Sequence, residues 1–154
     1  MSNTKRAELA KSLVGEIRQF IAGAILYNQM LAERLGIHTT DQQLMNFVEL
    51  LGEARPADLA RLSGLSTGGV TVALDRLEKA GFVHRERNPE DRRSVMIRMD
   101  PERQREVVAL YQSAGETMGK IFSSYDEKEL RLILDFFAKT NAARVASHRL
   151  NPGE

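Results

Sequence analysis

From His84 to Arg98 the chain carries five arginines (Arg85, Arg87, Arg92, Arg93 and Arg98) against three acids (Glu86, Glu90 and Asp91). A guanidinium cluster of this density suits one chemistry above others, the holding of phosphate oxygens or entry into a narrow, electronegative minor groove. Charge alone also allows a plainer reading, a solvated turn. Asp91 would repel phosphate, so its carboxylate fits better as an internal partner that orients Arg76 or a neighbouring arginine through a charge-assisted hydrogen bond.

A second group lies just upstream, where Ser66-Thr67-Gly68-Gly69 precedes an apolar run at helical spacing. Ser66 suits a helix cap, and the N–H groups that follow it can receive a phosphate at the positive end of the helix dipole. Gly68 and Gly69 each weaken a helix by up to about 1 kcal/mol relative to alanine. Close approach of the backbone to DNA would offset that loss; relief of internal packing is the other explanation. The candidate contacts are therefore Ser66, Thr67, Gly68, Thr71 and Arg76 on this helix, and Arg92 and Arg93 on the turn, with Asp91 in support.

The elements that must position these groups follow from periodicity. Val70, Ala73, Leu74 and Leu77 form the buried face of the candidate recognition helix, opposite Thr67, Gly68, Thr71, Val72, Asp75 and Arg76. Before it, Pro56 opens a short helix with Leu59 and Leu62 inward, and Gly64 marks a turn that favours positive φ. After it, Phe82–Arg87 and Ser94–Met99 alternate as two strands, with Asn88 and Pro89 at the turn. Upstream, Leu44, Phe47, Val48 and Leu51 define an amphipathic helix, capped by Thr39 or Thr40 and ended by Gly52.

Long helices flank this centre. Leu13, Ile17, Phe20, Ala24, Tyr27 and Leu31 recur along a first helix of about 30 residues, ended by Gly36, that is too long for one small core to cover. Val107, Tyr111, Ala114, Met118 and Ile121 mark the buried face of a helix begun by Pro101. Asp126 and Glu129 predict a reciprocal cap for the last helix, which Leu130, Ile133, Leu134 and Phe137 start. The predicted order is α-α-α-α-β-β-α-α: mainly α with a small β-hairpin wing, a winged helix-turn-helix. Residues 40–99 are the expected DNA-binding core. Residues 1–36 and 101–154 are the expected dimerisation helices of a homodimer, all within a single chain-long domain.

Composition narrows the alternatives. The 154 residues are 42% hydrophobic and 28% charged with net charge +1, ordinary for a soluble globular domain. Cysteine is absent, which removes disulfides and thiolate chemistry. His38, His84 and His148 show no ligand spacing, so neither a metal nor another cofactor is expected. No phosphate-cradling glycine loop follows a strand, and no histidine neighbours a candidate nucleophile; an enzyme is not expected. The N-terminal residues do not form a secretory signal and no run reaches the length of a membrane span, so the expected location is the cytoplasm, without a membrane partner.

The run LSTGGVTVALDRLEKAGFVHRERNPEDRRSV resembles the MarR family (multiple antibiotic resistance regulators). Its wing signature of aspartate, one residue, then arginine before a strand is matched by Asp91, Arg92, Arg93 and Val95–Met99, and residues 75–83 match the usual end of the recognition helix. The resemblance implies a homodimer that binds palindromic double-stranded DNA, typically as a repressor. It also implies release by a small, often aromatic or phenolic, effector. It assigns Arg93 to the minor groove, Asp91 to its support, and Thr67 and Thr71 to recognition contacts. Two positions depart from the pattern: Val72, where a polar or basic residue is common, and Arg55, at a cap usually filled by Thr or Ser. Val72 moves the expected specificity towards groove shape and the wing. It also motivates an alternative, a winged-helix module that docks a protein rather than DNA. Phe20, Tyr27, His38, Phe47 and Tyr111 could line an effector cavity, although such side chains more often belong to a core.

Overall fold

The computed structural model describes residues 3–88 and 94–150. It contains six helices and one two-stranded antiparallel sheet among these residues, in the order expected: α1 (Asn3–Leu35), α2 (Thr39–Leu51), α3 (Pro56–Ser63), α4 (Thr67–Lys79), β1 (Val83–Arg87), β2 (Val95–Met99), α5 (Pro101–Phe122) and α6 (Glu127–Leu150). Two compact units divide the chain, residues 1–42 and 43–154.

In the first unit α1 ends where Gly36 takes φ +67°, with Gly36 N–H on the Glu33 carbonyl (3.1 Å) and Ile37 N–H on that of Ala32 (3.0 Å). A left-handed residue of this kind satisfies carbonyls that the helix itself leaves open. The cap of α2 is one residue earlier than expected. Thr39 is already helical and Gln42 N–H bonds the His38 carbonyl, so His38, not Thr39 or Thr40, is the boundary residue. Gln42 Nε2 then reaches Asn28 Oδ1 at 3.3 Å, tying the first turn of α2 to α1. Leu31 and Ala32 are buried, whereas Leu13 and Phe20 of the expected apolar stripe are exposed.

The second unit is organised around the four-element centre. Leu44, Met45, Val48, Leu59, Val70, Ala73, Leu74, Leu77, Phe82, Val83, Ile97, Met99 and Val107 form its buried apolar set. The α2 face differs from expectation at both ends: Met45 is fully buried, while Leu51 is 49% exposed, because Gly52 (φ +74°) turns the chain away directly after it. Pro56 at the first turn starts α3, and Arg55 occupies its cap without a side-chain hydrogen bond. Gly64 ends α3 at φ +75°, its N–H on the Ala60 carbonyl at 3.0 Å. Gly81 (φ +76°) ends α4 in the same way, with Phe82 N–H on the Leu77 carbonyl at 2.9 Å.

The strands pair in the register Val83↔Met99, Arg85↔Ile97 and Arg87↔Val95. A third segment joins them: Ala54 and Ile97 exchange both backbone hydrogen bonds, at 3.0 and 2.8 Å. The segment before α3 thus acts as a one-residue strand, a feature too short to leave a sequence pattern.

Asp100 then caps α5, its carboxylate accepting from Glu102 N–H and Arg103 N–H. The reciprocal cap of α6 is present, with Glu129 N–H on Asp126 Oδ1 and Asp126 N–H on Glu129 Oε2, both at 2.9 Å. Burial along α5 stops short of expectation. Val107 is buried and Tyr111 half-buried, but Met118 and Ile121 are exposed, and Leu134 and Phe137 of α6 are exposed too.

The turn between α3 and α4 provides a direct test of this local reading. Gly64→Ala places a Cβ in the left-handed region, at a cost of about 1–2 kcal/mol. Urea denaturation should show a lower midpoint with an unchanged slope; an unchanged midpoint would mean that the turn does not require positive φ in solution.

Candidate nucleic-acid interface

The exposed face of α4 is built as the sequence predicts. Ser66 stands in extended backbone at its N-cap, and its Oγ accepts from Gly69 N–H at 3.1 Å. Thr67, Gly68, Thr71, Val72, Asp75 and Arg76 are all exposed, while Val70, Ala73, Leu74 and Leu77 are buried. Thr71 Oγ1 donates to the Thr67 carbonyl at 3.0 Å, which leaves its oxygen lone pairs outward. Val72 stands 54% exposed on this polar face.

The two glycines separate into different roles. A Cβ at Gly69 would meet Ser66 Oγ at 3.3 Å and Leu65 Cβ at 3.8 Å, so its small size keeps room for the cap. A Cβ at Gly68 would meet nothing within 4 Å. Internal packing therefore gives no reason for glycine at position 68.

The hairpin presents a different distribution of charge from the one counted along the sequence. Arg85 shares a face of β1 with buried Val83 and points to α4. Its Nη2 lies 2.6 Å from Asp75 Oδ1 and its Nη1 pairs with Glu78 Oε2. Burial pulls the Arg85 guanidinium down, but hydrogen bonds to Asp75 and Glu78, with their charges, outweigh it, and the pKa rises above its ordinary value. The backbone completes this clasp. Ile97 directs both its N–H and its carbonyl to Ala54, so Arg85 opposite it is a non-hydrogen-bonded pair whose own N–H points out of the sheet. That N–H donates to Glu78 Oε1 at 3.2 Å.

Arg98 is engaged on the other face. It pairs with Glu53, and its Nε lies 3.1 Å from Glu86 Oε2; Glu86 Oε1 is in turn 2.9 Å from His84 Nε2. Two of the five arginines counted in the sequence are thus held by acids within the chain. Asp91, Arg92 and Arg93, with Pro89 of the expected turn, lie outside the described residues. Asn88 is buried, and its N–H bonds the Ser94 carbonyl at 3.0 Å.

Sequence reasoning missed the clasp, although a signal for it existed. Alternation along β1 puts Arg85 on the same face as Val83, and a guanidinium on an inward face requires acidic partners. Asp75 and Glu78, three residues apart on the preceding helix, were the available pair.

Of the residues considered for an effector cavity, two line separate hollows in the second unit. Tyr111, whose hydroxyl donates to Asn46 Oδ1 at 2.9 Å, borders a cavity of about 300 Å³ with Glu49 and Val107. Phe47 borders one of about 580 Å³ between α2, α3 and α6, where Arg144 sits over its ring and donates to the Leu62 carbonyl at 2.7 Å.

A capped, outward-facing helix joined by a tight turn to a preceding helix, followed by a two-stranded hairpin, defines a winged helix-turn-helix protein. Comparison with known proteins agrees. The model of the MarR family matches residues 48–95. The HTH-type transcriptional regulator YcgE of Bacillus subtilis (strain 168) is 35% identical over 138 residues, 90% of each chain. The multiple antibiotic resistance protein MarR of Salmonella typhimurium is 29% identical over 68 residues, 44% of this chain and 47% of that protein. Among solved structures, AbfR of Staphylococcus epidermidis shares the fold with a TM-score of 0.63 and 19% identity, over 93% of this chain and 97% of its own. NadR, solved in complex with 4-hydroxyphenylacetate, gives 0.62 and 23% over 83% and 90%. The chain belongs to the MarR family: it is a DNA-binding transcriptional regulator, of a family that is not enzymatic. Among the described residues no helix is long and apolar enough to cross a membrane.

The open surroundings of Gly68 yield an opposed pair of effects. Gly68→Ala should raise thermal stability, by up to about 1 kcal/mol of helix propensity, and weaken DNA binding. Measuring the melting temperature and the affinity for one duplex on the same preparation checks both; a variant that is stabilised and binds as well as wild type removes the close-approach explanation.

Proposed function

We propose that this chain is a repressor that binds a palindromic operator as a homodimer and leaves it when a small aromatic or phenolic ligand binds. The observation that carries the reading is the N-terminal face of α4, capped by Ser66, lined by Thr67, Gly68 and Thr71, and exposed throughout. Laid in a major groove, it offers hydroxyls to base edges and phosphates, while Val72 offers an apolar contact to a thymine methyl group. Arg76 lies on the same exposed face, near the end of the helix.

Residues 40–99 act in this reading as the DNA-binding core, and 1–36 with 101–154 as the dimerisation helices. Exposed apolar side chains on both terminal segments support that division: Leu13, Val14, Ile21 and Ile25 on α1, Ile121 and Phe122 on α5, Leu134 and Phe137 on α6. Apolar surface on this scale is favourably removed from water by a second copy. A two-fold dimer places its recognition helices roughly 34–36 Å apart, one helical turn of DNA. Arg92 and Arg93 then reach the flanking minor groove, with Asp91 orienting Arg93. The effector class follows NadR, whose structure holds 4-hydroxyphenylacetate.

A gel shift with DNA upstream of its own reading frame, repeated with added 4-hydroxyphenylacetate, tests the reading. A dimer that binds no duplex at low salt would overturn it, and binding that is indifferent to small aromatic acids would remove the effector. Arg93→Ala is expected to weaken binding and to reduce the slope of log K against log salt by about 0.9, the loss of one phosphate-proximal charge. Unchanged affinity and slope in a salt titration would exclude Arg93 from the interface.

A further inference from the structure

The acids of the recognition helix are concentrated where DNA binding would least favour them. Thr67, Thr71, Asp75 and Glu78 follow one another in steps of four, four and three, and so form one stripe along α4. The stripe is hydroxylic at its N-terminal end and anionic at the other. Asp75 retains 60% side-chain exposure even in its ion pair, and Glu78 retains 39%. A phosphate backbone running beside this stripe would meet carboxylates at its C-terminal half, and like charges brought together across an interface oppose binding.

Arg85 answers that conflict from a different element. It reaches from β1 to both acids, with Nη2 2.6 Å from Asp75 Oδ1, Nη1 on Glu78 Oε2, and its backbone N–H on Glu78 Oε1 at 3.2 Å. The planar guanidinium can bind two carboxylates at once, which an ammonium cannot do with the same geometry. Its side chain is 29% exposed, less than either acid it holds. A guanidinium engaged in this way has few donors left for a phosphate.

We propose that Arg85 is a positioning residue for DNA binding that contacts no phosphate itself: it draws the Asp75 and Glu78 carboxylates toward the hairpin, off the DNA-facing stripe of α4, and cancels part of their charge. The proposal rests on the assignment of α4 to the major groove. It differs from the role of Arg93, where the guanidinium itself meets the DNA, and it predicts a different response to substitution. A partly exposed ion pair contributes little to folding, so Arg85→Met, which keeps the apolar stem, should melt within a few degrees of wild type.

The test is a double-mutant cycle on a duplex that the wild-type protein selects from random-sequence DNA, read by fluorescence anisotropy over a series of salt concentrations. Arg85→Met is expected to weaken binding on the order of tenfold through the exposed like charges. Adding Asp75→Asn to that variant should restore affinity to within about threefold of wild type, since the more exposed of the two charges that Arg85 restrained is gone. The salt slope of Arg85→Met should stay within a few tenths of wild type, because no phosphate contact is lost. A double variant that binds no better than Arg85→Met overturns the proposal. A slope reduced by about 0.9 in Arg85→Met overturns it as well, because Arg85 would then be a phosphate contact. Should Arg85→Met fail to fold, Arg85→Gln, which still donates a hydrogen bond, carries the same cycle. If the wild-type protein selects no duplex, the major-groove assignment falls first and this role with it, a result distinct from selection without rescue.

Discussion

The two-sided engagement of Ile97 holds the central part of this molecule together. Its side chain is fully buried, its backbone exchanges both hydrogen bonds with Ala54, and across the other side it stands opposite Arg85. One residue thereby joins the segment before α3, the hairpin and, through Arg85, α4. The orientation of its N–H and carbonyl toward Ala54 turns the Arg85 N–H outward, and that geometry brings Glu78 and Asp75 to the same arginine. The wing is therefore an extension of the core, held to the helix-turn-helix at a backbone pair on one side and an ion cluster on the other.

The same reasoning explains why charge counted along the sequence misleads. Net charge over a hairpin treats each arginine as available, yet availability depends on which face of the strand it occupies. Arg85 faces α4 and meets its acids, and Arg98 faces the other way and meets Glu53 and Glu86. Electrostatics that look like a ligand-binding surface in one dimension become, in three, the means by which neighbouring elements are aligned.

What was legible in the sequence was local. The order of elements, the Ser66 cap, the left-handed glycine at position 64, Pro101 at the start of α5 and the Asp126–Glu129 reciprocal cap each depend on a few adjacent residues, and all appear as read. What was not legible depends on distant partners. The Ala54–Ile97 bridge is a single residue pair with no pattern to detect, and the Arg85 clasp joins β1 to α4, visible in the sequence only once alternation along β1 is set against the acids of the preceding helix. The α5 and α6 stripes show a third kind of gap. Periodicity reveals that a helix has an apolar side without stating what covers it, so Met118 and Ile121 of α5 were expected inside and are exposed, and Leu134 and Phe137 of α6 are exposed as well. On α4 the buried face was predicted correctly, because it is covered by elements close in sequence.

The Glu78 carboxylate on the Arg85 N–H has a consequence of another kind. A two-stranded ribbon has free edges, and an unsatisfied edge N–H is a template on which a strand from a second molecule can grow. Glu78 occupies that donor on β1, and the outer side of β2 is taken by Ala54 at Ile97. The middle of the ribbon is therefore closed on both sides to edge-to-edge pairing with a strand of another molecule.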